Sequence, residues 1–381
     1  MKRLFFISVL LASACTLIDP DAQDNTPKIA DRNLQRLART FAELPMEYEH
    51  LQEVFDAVEA SSGQGYDEEY TMECLLSEPG SGVGEHKTKN GTRAYSSYAN
   101  PLRNLIREYY DSHPATKSSA EEMLEQLASS GYQVYWPYSE NWDGKSFPII
   151  TFDPGYGAES NYGYAISFLN DGTRVIDSVY VDERVARQRP VWVLNNNSDS
   201  GFSPVDLFSA SLPARSMSPA NSQGRSRTLR MKSFKMLRHY DSWFRGASEF
   251  NILCGSADGF KASTEAELKL FHPSVTNFVI VVKRKYLNIE LPLDVILVTD
   301  FCQQLDKLAF LVTEDDGGTR TSWKCQATVK IQSKSYGFDL DLPYNEKDDI
   351  VWRGQLSARF FEKEDIVSER FGDVIISFEL D

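Results

Sequence analysis

Histidine and cysteine are scarce, five of each among 381 residues, and neither falls into a metal-binding spacing. There is no HExxH, no histidine pair four apart and no CxxC, so the patterns that carry zinc sites are missing. The GxSxG elbow, the GxGxxG loop and the P-loop are missing too, which removes the usual signatures of α/β-hydrolases, dinucleotide enzymes and NTPases. No apolar run approaches the roughly 18–20 residues of a bilayer-crossing helix. Cations are outnumbered, 40 Lys and Arg against 55 Asp and Glu for a net charge of −15. A polyanion is held by clustered cations that release its counterions, so no nucleic-acid partner is expected.

What is present is an ordinary globular composition, 41% hydrophobic and 25% charged, over a length that suggests about two domains. The chain opens MKRLFFISVLLASAC, with Lys2 and Arg3 before an apolar run from Leu4 to Ala12 and small Ser13 and Ala14 before Cys15. That order of charge, apolar run and small residues is a secretory signal. The cysteine directly after two small residues resembles the lipobox of bacterial lipoproteins, although Ala12 stands where that family more often has Leu. The resemblance covers residues 1–15 and implies cleavage after residue 14, lipid (palmitate among the acyl groups) on Cys15, and delivery to the bacterial envelope. Two or more acyl chains hold a protein stably on a membrane. Thr16 follows the cysteine, and Asp19, Asp21 and Asp24 make residues 15–25 an acidic tether. The outer membrane is therefore the expected address.

Leu34, Leu37, Phe41 and Leu44 recur at helical spacing, Pro45 interrupts, and Leu51, Val54, Phe55 and Val58 resume the period. Asn100-Pro101 reads as an N-cap and first-turn proline, and Ser119 with Glu122 as a capping box closed by Gly131. Strand patterns follow near 132–136, 148–152, 164–168, 175–181 and 190–194. Helices followed by strands predict an α+β domain over 26–197. Residues 198–227, rich in Ser, Pro, Gly and Asn, read as a linker. Beyond it, 228–381 is nearly all strand. In Trp323–Ile331 every odd position is apolar and every even one polar, and Phe338–Leu342 alternates likewise, which predicts a hairpin. The whole reads as an α+β domain followed by an antiparallel β-sandwich, immunoglobulin-like or C2-like. The seven cations between Arg215 and Arg238 read as linker running into a strand at a protected sheet edge.

Four cysteines besides Cys15 permit two disulfides. The densest ligand candidate is GYQVYWPYSENWDG, where Tyr135, Trp136, Tyr138 and Trp142 mix with Ser139, Glu140, Asn141 and Asp143. Flat rings beside polar groups suit a sugar. Asp315 and Asp316, followed by two glycines, are the candidate metal residues, with calcium the only cofactor considered. No catalytic residue is identified. The expected task is non-catalytic binding or adhesion, to a glycan or an envelope protein. The alternatives are a hydrolase with its site near Tyr132–Gly144 and Asp153, or a calcium-dependent C2-like module.

Overall fold

A computed structural model describes residues 32–77, 100–113, 119–197 and 227–381, with the backbone of short strands at 87–88 and 91–92. Cys15, the signal at 1–14, the tether at 15–25 and the linker at 198–226 lie outside the described residues. The architecture is α+β and mostly β, with several antiparallel sheets.

Helices α1 (Arg32–Glu43) and α2 (Tyr48–Ser62) bury the apolar stripe read from the sequence, Leu34, Leu37 and Phe41 on one and Leu51, Val54 and Val58 on the other. Strand β1 (Glu69–Thr71), helix α3 (Met72–Leu76) and the β2 (Lys87–Thr88) and β3 (Gly91–Thr92) ribbon precede α4 (Pro101–Ser112). Asn100 does not cap α4. An N-cap needs extended backbone to swing its oxygen over the first turn, whereas Asn100 is left-handed at φ +42°. Buried Glu53 of α2 supplies the acceptor instead, taking the Leu102 N–H at 2.8 Å. Helix α5 (Ala120–Ala128) does carry its reciprocal Ser119–Glu122 box, at 3.2 and 2.9 Å.

Five strands follow: β4 (Tyr132–Tyr135), β5 (Ile149–Phe152), β6 (Ser160–Phe168), β7 (Arg174–Asp182) and, after the short helix α6 (Glu183–Ala186), β8 (Val191–Asn196). With β1 they form a six-stranded sheet in the order β1-β4-β8-β5-β6-β7, antiparallel except for β5 beside β8. The helices cover one face, over Val134, Trp136, Ile150, Trp192 and Leu194. Tyr135, Ile149, Val191 and Val193 point the other way, onto buried Trp243 and Phe244. Both faces of the central strands are therefore core.

Trp243 and Phe244 lie between strands β9 (Leu229–Met236) and β10 (Ser248–Ser256). Next come helix α7 (Glu265–Leu268), β11 (Ser274–Val282), a 3-10 turn at Arg284–Tyr286, β12 (Leu291–Val298) and β13 (Leu305–Glu314). The chain ends with β14 (Arg320–Ile331), β15 (Lys334–Asn345), β16 (Asp349–Ser357), β17 (Ile366–Phe371) and β18 (Val374–Leu380). One sheet runs β11-β10-β13-β14-β15 with β16 also on β13, the other β12-β9-β18-β17. They share one apolar core, in which Phe234 and Phe378 of the second sheet meet Phe250 and Phe310 of the first. β14 and β15 pair as the expected hairpin, in register from Arg320↔Asn345 to Ile331↔Lys334, so the turn falls at 332–333. β14 meets β13 only near Leu305 and Lys307. The rest of the hairpin folds over the back of β10 and β13, burying Leu340 and Leu342 with Leu253 and Leu311.

Two readings change. β9 is not at a sheet edge but between β12 and β18, because its cations have acids across the ladder: Lys232 Nζ is 3.1 Å from Asp294 and 3.2 Å from Glu379. Residues 358–360, inside the stretch read as nearly all strand, form a 3-10 turn.

The segment carrying Trp243 ends at Gly246, whose φ of +106° suits glycine, and an added Cβ would run into Asp67 Oδ2, the acceptor of the Ala247 N–H at 2.7 Å. Gly246→Ala should lower unfolding free energy by about 2–3 kcal/mol, read by urea denaturation; unchanged stability would show that this contact does not hold the seam.

Candidate functional site

Tyr135 and Trp136 are sealed inside, on opposite faces of β4. Trp136 packs against Trp192, Phe55 and Trp142, with its ring centroid 5.6, 5.8 and 5.2 Å from theirs. Neither ring offers a face to solvent. Tyr138, half-buried, bends the chain outward with left-handed backbone, φ +59°. This conformation is costly for a residue with a side chain. It is held by the Tyr138 N–H donating to Glu68 at 3.0 Å and the phenol donating to Glu183 at 2.7 Å.

Tyr138, Trp142 and Asp143 come together on a cleft of about 320 Å³, joined by Phe147 and by Arg187 to Arg189. Trp142 is fixed by its Nε1 donating to Ser146 O at 2.9 Å and by Phe55, 5.2 Å between centroids. Asp143 accepts the backbone N–H of Ser146 and of Lys145 and the Ser146 hydroxyl, and these bonds hold its carboxyl at about 2. Its oxygens serve its own turn. Arg187 donates to the Tyr138 oxygen at 3.1 Å and lies 5.7 Å from the ring centroid, a cation–π distance. The side chains of Asn141, Gln188 and Arg189 line the cleft with no hydrogen-bond partner among the described residues. The cleft thus offers rings on a fixed wall and three polar groups free to turn toward a ligand.

A second cavity, of about 170 Å³, lies where the N-terminal sheet meets the β10–β13 pair. Asp153, Asn195, Asp241, Glu249 and Asp316 line it. Carboxylate oxygens of Asp241, Glu249 and Glu314 lie within 4.8 Å of one another. Arg245 is the counter-charge, 3.5 Å from Asp153, 3.6 Å from Asp241 and 3.7 Å from Asp316. Burial and the neighbouring Asp241 push Glu314 far above the ordinary carboxylate range, and burial raises Asp241 and Glu249 as well. Burial and Asp241 also lift Asp316, to about 6. Asp315 does not join these groups as an open ligand: its Oδ1 accepts the Gly317 N–H and the Asn345 amide at 2.8 and 3.1 Å. Asp153 belongs to this cavity and not to the aromatic cleft. Cys74, Cys254, Cys302 and Cys325 are all unpaired.

No protein-family model matches this chain, and neither a curated protein nor a solved structure matches it. The functional reading therefore rests on the two cavities. Sequence reasoning passed over Asp241, Glu249 and Glu314. One signal was available for Glu314, which continues the spacing of Leu308, Phe310 and Val312, a charged residue in the apolar phase of a strand.

The start of α6 is laced by ion pairs, Arg184 with Asp182 and Arg187 with Glu183, at 2.9 and 3.1 Å. Glu183 accepts from Tyr138 and Arg187 and, at 3.2 and 3.3 Å, from buried Arg284 of the C-terminal sheets. Burial alone would raise its carboxyl, but these donors hold it at about 2. With the folded value below the ordinary 4.5, the stabilisation is complete above about pH 4.5 and lost as pH falls toward 2. Glu183→Gln should cost about 2 kcal/mol at pH 7, and its melting temperature should fall less than wild type between pH 5 and pH 3. Parallel melting curves across that range would remove Glu183 from this role.

Proposed function

We propose that this chain is a lipid-anchored protein of the bacterial envelope, held at the outer membrane through Cys15, that binds a glycan without transforming it. In this reading the C-terminal sheets form a β-sandwich of the immunoglobulin-like or C2-like kind that displays the N-terminal cleft. One observation carries the ligand class: Tyr138, Trp142 and Phe147 share a cleft with Asn141, Gln188 and Arg189, whose polar groups have no partner among the described residues. Sugars present apolar ring faces and a rim of hydroxyls, so they are recognised by aromatic surface plus orienting hydrogen bonds. Because Trp142 is already packed and hydrogen-bonded, little ordering cost remains for binding.

The hydrolase reading is supported by the convergence of carboxyl groups in the acidic cavity. Against it, Glu314 keeps its proton far above neutral pH, whereas a general acid works best with a pKa near the operating pH.

Two measurements test the proposal. On a glycan array the full chain should bind a defined subset, and Trp142→Ala should weaken that binding by about tenfold to a hundredfold while leaving the protein folded; uniform silence across the array, or equal binding by the variant, rejects the cleft. Cys15→Ala should abolish acyl labelling and move the protein from the membrane to the soluble fraction, and a labelled or membrane-bound variant rejects the anchor.

A further inference from the structure

Glu314 is a fully buried carboxyl with no cationic counterpart among the described residues. Its side chain is 0% exposed, and neither oxygen receives a hydrogen bond from a donor among the described residues. Protonated, it donates to its neighbour, the Asp241 carboxyl, and Glu249 completes the group within 4.8 Å. Arg245 pairs with Asp153, Asp241 and Asp316 but makes no ion pair with Glu249 or Glu314 among the described residues. Asn195 lines the same cavity and is 2% exposed; its Nδ2 donates to Phe244 O at 2.9 Å, while its Oδ1 has no donor among the described residues. Buried charges in proteins are paired with an opposite charge or coordinate a metal. Here Glu314 is neutralised by a proton and not by a cation, and the buried Asn195 oxygen, which lines the cavity with Asp241 and Glu249, has no donor among the described residues.

We propose that this cavity is a divalent-cation site, with Asp241, Glu249 and Glu314 as carboxylate ligands and Asn195 Oδ1 as a neutral one, and that its ion is calcium. An all-oxygen set selects a hard cation over zinc or copper. Calcium, at about 2.3–2.6 Å from each ligand, lets oxygens stand about 5 Å apart across the ion, whereas magnesium at about 2.0–2.1 Å requires them within about 4 Å. The three carboxylate oxygens, within 4.8 Å of one another, can reach an ion of calcium's size without rearrangement. The cavity of about 170 Å³ has room for waters to complete six to eight ligands. The frame is set by the ladder, since Glu314 pairs across from Phe250, the neighbour of Glu249. Asp315 and Asp316, the residues read from the sequence as metal candidates, also line this cavity, with the Asp315 Oδ1 taken up by its own turn. None of these residues lines the aromatic cleft, so the site stands independently of the glycan reading.

The test is calorimetric titration of the chelator-stripped full chain with Ca²⁺ and, separately, Mg²⁺, alongside melting curves. One Ca²⁺ per chain should bind, raising the melting temperature by about 3–5 °C at a hundredfold excess over Kd, with Mg²⁺ at least tenfold weaker. Glu314→Gln should lose at least tenfold in Ca²⁺ affinity and melt no lower than wild type in chelator. Glu249→Gln, at a less buried position, should lose affinity similarly and decides the matter if Glu314→Gln does not fold. Absence of binding by wild type up to about 10 mM, above the range of extracellular calcium modules, overturns the proposal and leaves a proton-sharing carboxyl cluster. Wild-type affinity in the variants places the ion elsewhere, and equal affinity for Mg²⁺ overturns the choice of calcium.

Discussion

A six-stranded sheet with apolar side chains on both faces needs two covers, and only one of them is local in sequence. The helices supply the first. The second is the pair Trp243 and Phe244, which reach from between β9 and β10 to Tyr135, Val191 and Val193, with ring centroids 4.1 Å apart. Trp243 Nε1 finds Glu159 O at 3.0 Å, so the indole is buried without an orphaned donor. Removing about 150–250 Å² of each ring from water contributes about 4–6 kcal/mol. This contact joins the N-terminal sheet to the C-terminal ones, and the placement of every group at the seam depends on it.

Closing the two sheet systems over an apolar plug buries charge around its margin. On one side Lys283, Arg284 and Lys285, consecutive in sequence, turn through the 3-10 segment to reach Ser62, Glu183 and the Glu68 and Glu140 pair. Lys285 Nζ stands 2.8 Å from Glu68 and 2.7 Å from Glu140, and those carboxylates hold its ammonium strongly protonated even though burial opposes it. On the other side Asp153, Asp241, Glu249, Glu314 and Asp316 meet with Arg245 alone among them. The seam is therefore neutralised at one end and left with excess acid at the other. That asymmetry sets the balanced ion pairs near Tyr138 apart from the cavity where acid is in excess.

Much of the local structure was legible. The apolar stripes of α1 and α2, the capping box at Ser119 and the β14–β15 alternation each depend on residues close in sequence, and each appears where the pattern put it. The failures have a common cause in partners far along the chain. Asn100 lost its capping role to Glu53, 49 positions away in their Leu102 contact. The β9 cations looked like edge protection until Asp294 and Glu379 supplied acids on both flanks. Tyr135 and Trp136 stood among the candidate sugar contacts, and the sheet buries both because its central strands are core on each face.

The sequence by itself determined the period of the main helices and of β14 and β15, the signal-like first 15 residues and the candidacy of Tyr138, Trp142 and Asp143, since periodicity, capping and turn chemistry are written within a few positions of each other. Tertiary structure decided which aromatics face solvent and which acids converge. Asp153, Asp241, Glu249 and Glu314 span about 160 positions of chain and acquire a shared chemistry only when Trp243 and Phe244 close the sheet. Burial and proximity, the two quantities that set the energy of a charge, exist only in the folded state.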